Sequence, residues 1–235
     1  MRECVLKLEE IISCSIVRRI NRFVVEVKIG GKIFPASTNN TGKLEELIVN
    51  KRKAYCLRRA SSKTKYRLVA VEDKGKAAII DTHLQMKAFE NAFNKSLIPW
   101  LNDYKLLKIN PKVGKSMLDY LFLDKHNRNL YVEIKSAVLR RGDAASYPDR
   151  PSERGRRHVK ELIKLVRNGE KSAIVFIAGL PKVSHFTLAS DIDPEVGRLL
   201  EIAHLGGVEI KAISMYFDPE NKSIVLTNPD LPVVL

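Results

Sequence analysis

Asp119 and the run Glu133-Ile134-Lys135 are the residues whose types and spacing could do chemistry in this chain. The segments holding them, Met117 to Leu123 and Leu130 to Ser136, are short, apolar and rich in β-formers. Between them Asp124-Lys-His-Asn-Arg128 is polar and turn-like, which predicts a hairpin. Centred on His126, that hairpin sets Asp119 opposite Glu133 and Leu121 opposite Tyr131. Directly opposed residues have Cβ atoms about 4.5–5.5 Å apart, and like charges so placed repel. A cation between them removes the repulsion, and oxygen ligands of this kind suit Mg2+ or Mn2+. Lys135, two residues from Glu133, projects from the same strand face. A short Glu-x-Lys can also mark a solvated face, but these charges interrupt an apolar strand, where burial demands a partner or a metal.

The elements that must position these residues fall into two parts. Residues 1–81 read as short strands: Arg22 to Ile29 alternates, Gly30-Gly31 is a hairpin turn, and Lys32 to Ala36 returns. Lys53 to Arg59, Tyr66 to Glu72 and Ala77 to Asp81 supply more, and five or more short strands with tight turns predict an OB-like β-barrel. Residues 82–235 read differently. Gln85 to Leu101 is helix-like, with Phe89, Phe93 and Leu97 at spacing four. Strands follow near Tyr104–Ile109, Met117–Leu123 and Leu130–Ser136. A helix is predicted from Ser152, a good N-cap, to Asn168. Ser172 to Ala178 is a buried strand, Pro194 opens another helix, and Val208–Phe217 and Ser223–Thr227 close a mixed sheet. The fold class is therefore mixed α+β, a small barrel followed by an α/β domain.

The net charge of +14 points to an anionic partner, with nucleic acid ahead of a membrane surface. Residues 1–81 hold 18 basic against 9 acidic residues. Between Asn50 and Arg67 lie Lys51, Arg52, Lys53, Arg58, Arg59, Lys63, Lys65 and Arg67 with no acidic residue, a solvated face or a phosphate-tracking groove. Arg154, Arg156 and His158 sit at the start of a predicted helix, where backbone N–H groups and the dipole favour a phosphate, and Arg140 and Arg141 follow the carboxylate strand. No apolar run approaches the ~18 residues of a membrane span, and Glu3, Glu9 and Glu10 do not suit a signal peptide, so a cytoplasmic location is expected. Cys4, Cys14 and Cys56 form no C-x-x-C pair and are expected to be buried thiols. No histidine lies near them, which argues against zinc. Asn40-Thr41-Gly42 reads as a turn in which Gly42 supplies a positive φ.

This element order, with Asp119 and Glu133-Ile134-Lys135, resembles the PD-(D/E)xK nuclease superfamily. More closely, the chain resembles the sugar fermentation stimulation protein (SfsA) family. Arg22-Phe-Val-Val-Glu-Val27, Asn40-Thr-Gly42, Val132-Glu-Ile-Lys-Ser136, Tyr147-Pro-Asp149, Ser152-Glu-Arg-Gly155 with His158, and Gly206-Gly-Val-Glu-Ile210 follow in that family's order. Ser37 stands where the family often has histidine before its Asn-Thr-Gly, and Gln85-Met86 where it usually has Pro-Asn. The resemblance implies an OB-like N-terminal domain, a nuclease-like C-terminal domain, DNA binding and a role in regulating sugar, notably maltose, metabolism.

The resulting expectation is a DNA-binding protein with a Mg2+- or Mn2+-dependent phosphodiesterase site. Asp119, Glu133 and the carbonyl of Ile134 would hold the metal, and Lys135 would orient a water or stabilise charge developing on phosphorus. The alternatives are a non-enzymatic DNA-binding regulator with a relic nuclease fold and an RNA-binding barrel module. A homodimer is one option for the oligomeric state.

Overall fold

The computed structural model describes residues 2–59 and 64–235. Strand β1 spans Glu3–Lys7, β2 Ile11–Asn21, β3 Val24–Ile29, β4 Lys32–Ser37, β5 Lys53–Arg58, β6 Tyr66–Asp73 and β7 Lys76–Ile79. Gly30 and Gly31 both take positive φ, 54° and 82°, the conformation a two-residue β3–β4 turn requires. The ladder runs β4-β3-β2-β5-β6, and a parallel pairing of β4 with β6 closes it into the expected five-stranded barrel. Closure leaves the inward residues Ile16, Val25, Val27, Ala36, Cys56 and Leu68 essentially without exposure.

Helix α1 (Thr82–Asn94) leads into β8 (Tyr104–Ile109), the short strands β9 (Lys112–Val113) and β10 (Ser116–Met117), then β11 (Tyr120–Asp124) and β12 (Asn129–Ala137). Next come β13 (Leu139–Arg141), β14 (Ala144–Tyr147), α2 (Glu153–Arg167), β15 (Lys171–Ala178) and β16 (His185–Leu188). Helix α3 (Pro194–Leu205), β17 (Glu209–Asp218), β18 (Ser223–Asn228) and β19 (Val233–Val234) complete the chain. The central sheet runs β7-β17-β15-β12-β11-β8, with β12, β15 and β17 parallel and β8, β11 and β18 antiparallel to their neighbours. Strand β15 is apolar on both faces because both are covered. Ile174 and Phe176 pack with Val159, Leu162 and Leu200 of α2 and α3, whereas Val175 and Ile177 pack with Ala88 and Phe89 of α1.

Barrel and sheet are continuous. Strand β7 leaves the barrel hairpin and pairs with β17, and β1 pairs with β18 rather than with the barrel. Cys4, expected to be buried, is exposed on β1 because Val5 takes the inward position, while Cys14 and Cys56 are buried with their Sγ atoms 3.5 Å apart.

Two predicted elements are redrawn and one sheet is added. The helix expected over Gln85–Leu101 starts at Thr82, where Asp81 caps it by accepting the Leu84 N–H at 2.9 Å, and stops at Asn94. Pro99 holds Ile98 in an extended conformation and so forbids continuation. The strand expected from Met117 begins only at Tyr120, because Ser116–Met117 folds back on Lys112–Val113 around Gly114. A second sheet, β13-β14-β16-β19, occupies residues without a clear strand pattern. Helix α2 begins as predicted, with the Ser152 hydroxyl accepting the Gly155 N–H at 3.1 Å, a cap worth about 1 kcal/mol.

Candidate metal centre

The β11–β12 hairpin is fixed by its turn. Asp124 accepts the backbone N–H groups of His126 at 2.8 Å and Arg128 at 2.9 Å, and the Arg128 guanidinium at 2.8 Å. Leu121 pairs with Tyr131 and Tyr120 with Val132, so the next step brings Asp119 opposite Glu133, as the alternation predicts. Asp119 lies one residue before β11, and its N–H still donates to the Val132 carbonyl at 3.2 Å. Its Oδ2 accepts the Ile134 N–H at 2.7 Å.

Glu133 is only 2% exposed. Its Oε1 accepts Lys135 Nζ at 2.5 Å and faces His158 Nδ1 at 2.5 Å, while the buried Oε2 has no hydrogen-bond partner among the described residues. Burial works against the charged form of Glu133, but the Lys135 charge and the His158 bond outweigh it and hold the carboxyl below its usual range. An ionised Glu133 makes His158 Nδ1 the donor. For Lys135 burial opposes charge, and Glu133 again prevails, so the ammonium is retained. Asp119 goes the other way. Burial, then the charge of Glu133, push it up to about 6, against the pull of the Ile134 N–H, Lys135 and Arg154.

Among the described residues no three His, Cys, Asp or Glu side chains form a metal-binding group. Asp119 and Glu133 would offer a cation two carboxylates, with a main-chain carbonyl or water needed to complete its shell. The orphaned Oε2 beside a second, repelled carboxylate is the arrangement a divalent cation satisfies, and its all-oxygen character suits a hard ion.

These groups form the floor of a cleft of about 280 Å³. One wall is the barrel loop Asn39–Thr41, and the other holds Tyr147, Arg154 and Gly155. Asn40 ties the wall down by donating to the Ile80 carbonyl at 3.1 Å and to Ser136 Oγ at 3.5 Å. Gln85 Nε2 reaches the same Ser136 hydroxyl at 2.9 Å. Asn40 and Thr41 are therefore part of a cleft wall, not only of a turn, and Gly42 beside them is absent from the residues of positive φ. Glycine is required there because a Cβ would fall 2.1 Å from Asp149 Oδ2. Gly155 is needed in the same way, since its Cβ would lie 2.8 Å from Tyr147 Oη.

The predicted basic residues separate. Arg154 lines the cleft mouth without a hydrogen bond or ion pair among the described residues. Arg156 is instead clamped on Asp193 at 2.8 Å, and His158, expected at a phosphate, is 2% exposed and turned inward to Glu133. Arg140 is taken by Asp73 at 2.5 Å and the Pro181 carbonyl, and Arg141 by Asp191. On the barrel Arg52 binds the Glu46 carbonyl and Arg59 the Ser37 hydroxyl, whereas Arg58 and Lys65 are exposed. None of these barrel residues lines the cleft. Lys63 lies outside the described residues.

Residues 17–80 match the SfsA N-terminal OB domain and residues 83–221 the sugar fermentation stimulation protein RE domain. A sugar fermentation stimulation protein homolog of Pyrococcus furiosus is 46% identical over 213 residues, spanning 91% of this chain and 92% of that protein. One from Archaeoglobus fulgidus is 40% identical over 229 residues, 97% of this chain and 98% of its own. The solved structure of Pyrococcus furiosus SfsA in complex with Ca2+ superposes with a TM-score of 0.95 at 43% identity, covering 99% of this chain and 100% of that one. On both domains and over nearly its full length, the chain belongs to the sugar fermentation stimulation protein family.

Proposed function

We propose that the cleft floor is the active site of a divalent-metal-dependent phosphodiesterase acting on nucleic acid, DNA first. The observation carrying this reading is the ionised Glu133, with its free Oε2, facing an Asp119 that it repels, with Lys135 beside both. Asp119, Glu133 and the Ile134 carbonyl would hold the cation. The Ca2+ complex of Pyrococcus furiosus SfsA supports a hard divalent ion, the class that includes Mg2+. Bound there, such an ion supplies Lewis-acid polarisation of a phosphoryl oxygen.

The chain's own residues do the rest. Arg154 offers an unpaired guanidinium to an incoming phosphate. His158 and Lys135 fix the Glu133 carboxylate, which leaves Oε2 as its free acceptor. Lys135 also keeps a positive charge at the floor, where negative charge builds up in phosphoryl transfer. The net charge of +14 draws a polyanion to the surface as a whole.

A second reading is a DNA-binding regulator of sugar (maltose) metabolism genes that performs no chemistry. One observation favours it: Lys135 and His158 already satisfy Glu133 Oε1, and no third acidic ligand joins the pair among the described residues. The experiment is incubation of the purified protein with labelled single- and double-stranded DNA and RNA in Mg2+, Mn2+ or EDTA. Cleavage that needs metal and is lost in Asp119→Asn supports the enzyme. No cleavage of any substrate leaves the regulator.

A further inference from the structure

The metal site leaves two features unused: the Arg22-Phe23 turn and a second chamber. The chamber, about 470 Å³, opens from the cleft past Asn40, Ser136 and Arg154 and is lined by Arg22 and Arg150. Arg22 and Arg154 have no ion-pair partner among the described residues, and Arg150 donates to the Thr41 carbonyl at 3.2 Å. Two carboxylates share the lining. Asp149 is occupied by the Leu44 N–H at 3.3 Å, and Glu153 is exposed in the first turn of α2.

Phe23 is 47% exposed at the tip between β2 and β3, with the Arg22 guanidinium 4.7 Å from its ring centroid. The tip is bound to the cleft wall. Thr38 N–H donates to the Phe23 carbonyl at 2.8 Å, and Arg19 donates to the carbonyls of Arg22 at 3.2 Å, Asn40 at 3.4 Å and Gly42 at 2.6 Å, and to Lys43. An exposed aromatic is thus held beside Arg22, which lines a basic chamber continuous through Asn40, Ser136 and Arg154 with the cleft that holds the carboxylates.

We infer that this chamber takes an unpaired nucleic-acid strand, with a base stacked on Phe23 and phosphates on Arg22, Arg150 and Arg154. The inference deepens the nuclease reading by naming its substrate class. Two considerations select a single strand. Chambers of this size fall in or near the roughly 300–1,000 Å³ range that encloses one small ligand, so a strand enters about one or two nucleotides at a time. Stacking platforms beside arginines also bind any exposed base face, which a duplex hides.

The test is fluorescence anisotropy of the full chain in EDTA, where no metal-dependent cleavage occurs, with labelled single-stranded DNA, single-stranded RNA and duplex DNA of one sequence. Either single strand should bind about ten-fold more tightly than duplex, and the two single-stranded arms assign the sugar. Phe23→Ala should weaken single-strand binding about ten-fold, the scale of one lost base stack, and Phe23→Trp should retain it. Because Phe23 is exposed, an unchanged melting curve checks that the variants fold. Duplex binding as tight as single-strand binding, or an unaltered Phe23→Ala, overturns the inference and leaves the metal site standing. A wild type that cleaves nothing with Mg2+ removes the nuclease reading instead and leaves the binding result intact.

Discussion

His158 on α2 and Glu133 on β12 meet at 2.5 Å, with both side chains 3% exposed. This bond fastens the helix that carries Arg154 to the strand that carries the carboxylate. The Arg154 wall and the carboxylate floor of the cleft are thereby held in one geometry.

His158→Ala should loosen that arrangement. Glu133 keeps Lys135 but loses the hydrogen bond to His158, at a cost of about 1–3 kcal/mol in stability. Loss of a group that orients a ligand typically weakens a metal about 10–100-fold. Thermal melts and Mn2+ titration calorimetry measure both effects, and wild-type Mn2+ affinity in the variant would contradict the positioning role.

Asp119 makes the metal-free protein sensitive to pH. Its carboxyl is raised from 3.8 to about 6, so the folded state holds the proton more tightly than the unfolded chain does. The stabilisation is therefore full below about pH 4 and lost as pH rises through about 6, up to about 3 kcal/mol from this one group. Asp119→Asn keeps an acceptor for the Ile134 N–H and removes the repulsion. Without metal its melting temperature should gain on wild type between about pH 4 and about pH 7. Added Mn2+ should stabilise wild type more above that range's midpoint than below it, and should not stabilise the variant. A constant gap across pH would sink the assignment.

The hairpin and its opposed carboxylates were legible because a polar turn between two alternating apolar runs sets register locally, and Asp119 follows from Tyr120 and Val132. The barrel was legible for the same reason, strand by strand. Long-range partners were not. Nothing local says that His158 reaches a carboxylate 25 residues away, that Arg156 is consumed by Asp193, or that β1 crosses to β18. The Asn40-Thr41-Gly42 segment was misread because glycine serves both turns and close approaches. Only the position of Asp149 distinguishes them.

Gly42→Ala tests that close approach. The new Cβ would fall 2.1 Å from Asp149 Oδ2, and the loop is pinned by Arg19 on one side and by Asn40 on the other. Overpacking of this sort costs about 1–3 kcal/mol. Asp149→Gly in the same chain should recover part of that loss. A double-variant cycle in urea denaturation checks it, and simple additivity of the two changes would show that the contact does not matter.

Lys135→Ala separates chemistry from cation binding. The ammonium lies 2.5 Å from Glu133 Oε1, so it competes for the same negative charge that a metal would use. Removing it should leave Mn2+ affinity equal or stronger, since one positive charge leaves the site and His158 still anchors the carboxylate. The metal-free variant should be destabilised, because a buried carboxylate has lost its counter-charge. Turnover should nevertheless fall about 10²-fold or more, the scale for one preorganised electrostatic group. Stronger metal binding together with weaker cleavage is an outcome that a merely structural lysine would not give. Cleavage at the wild-type rate would mean that Lys135 serves the fold and that the positive charge needed at phosphorus comes from elsewhere, with Arg154 the next residue to replace.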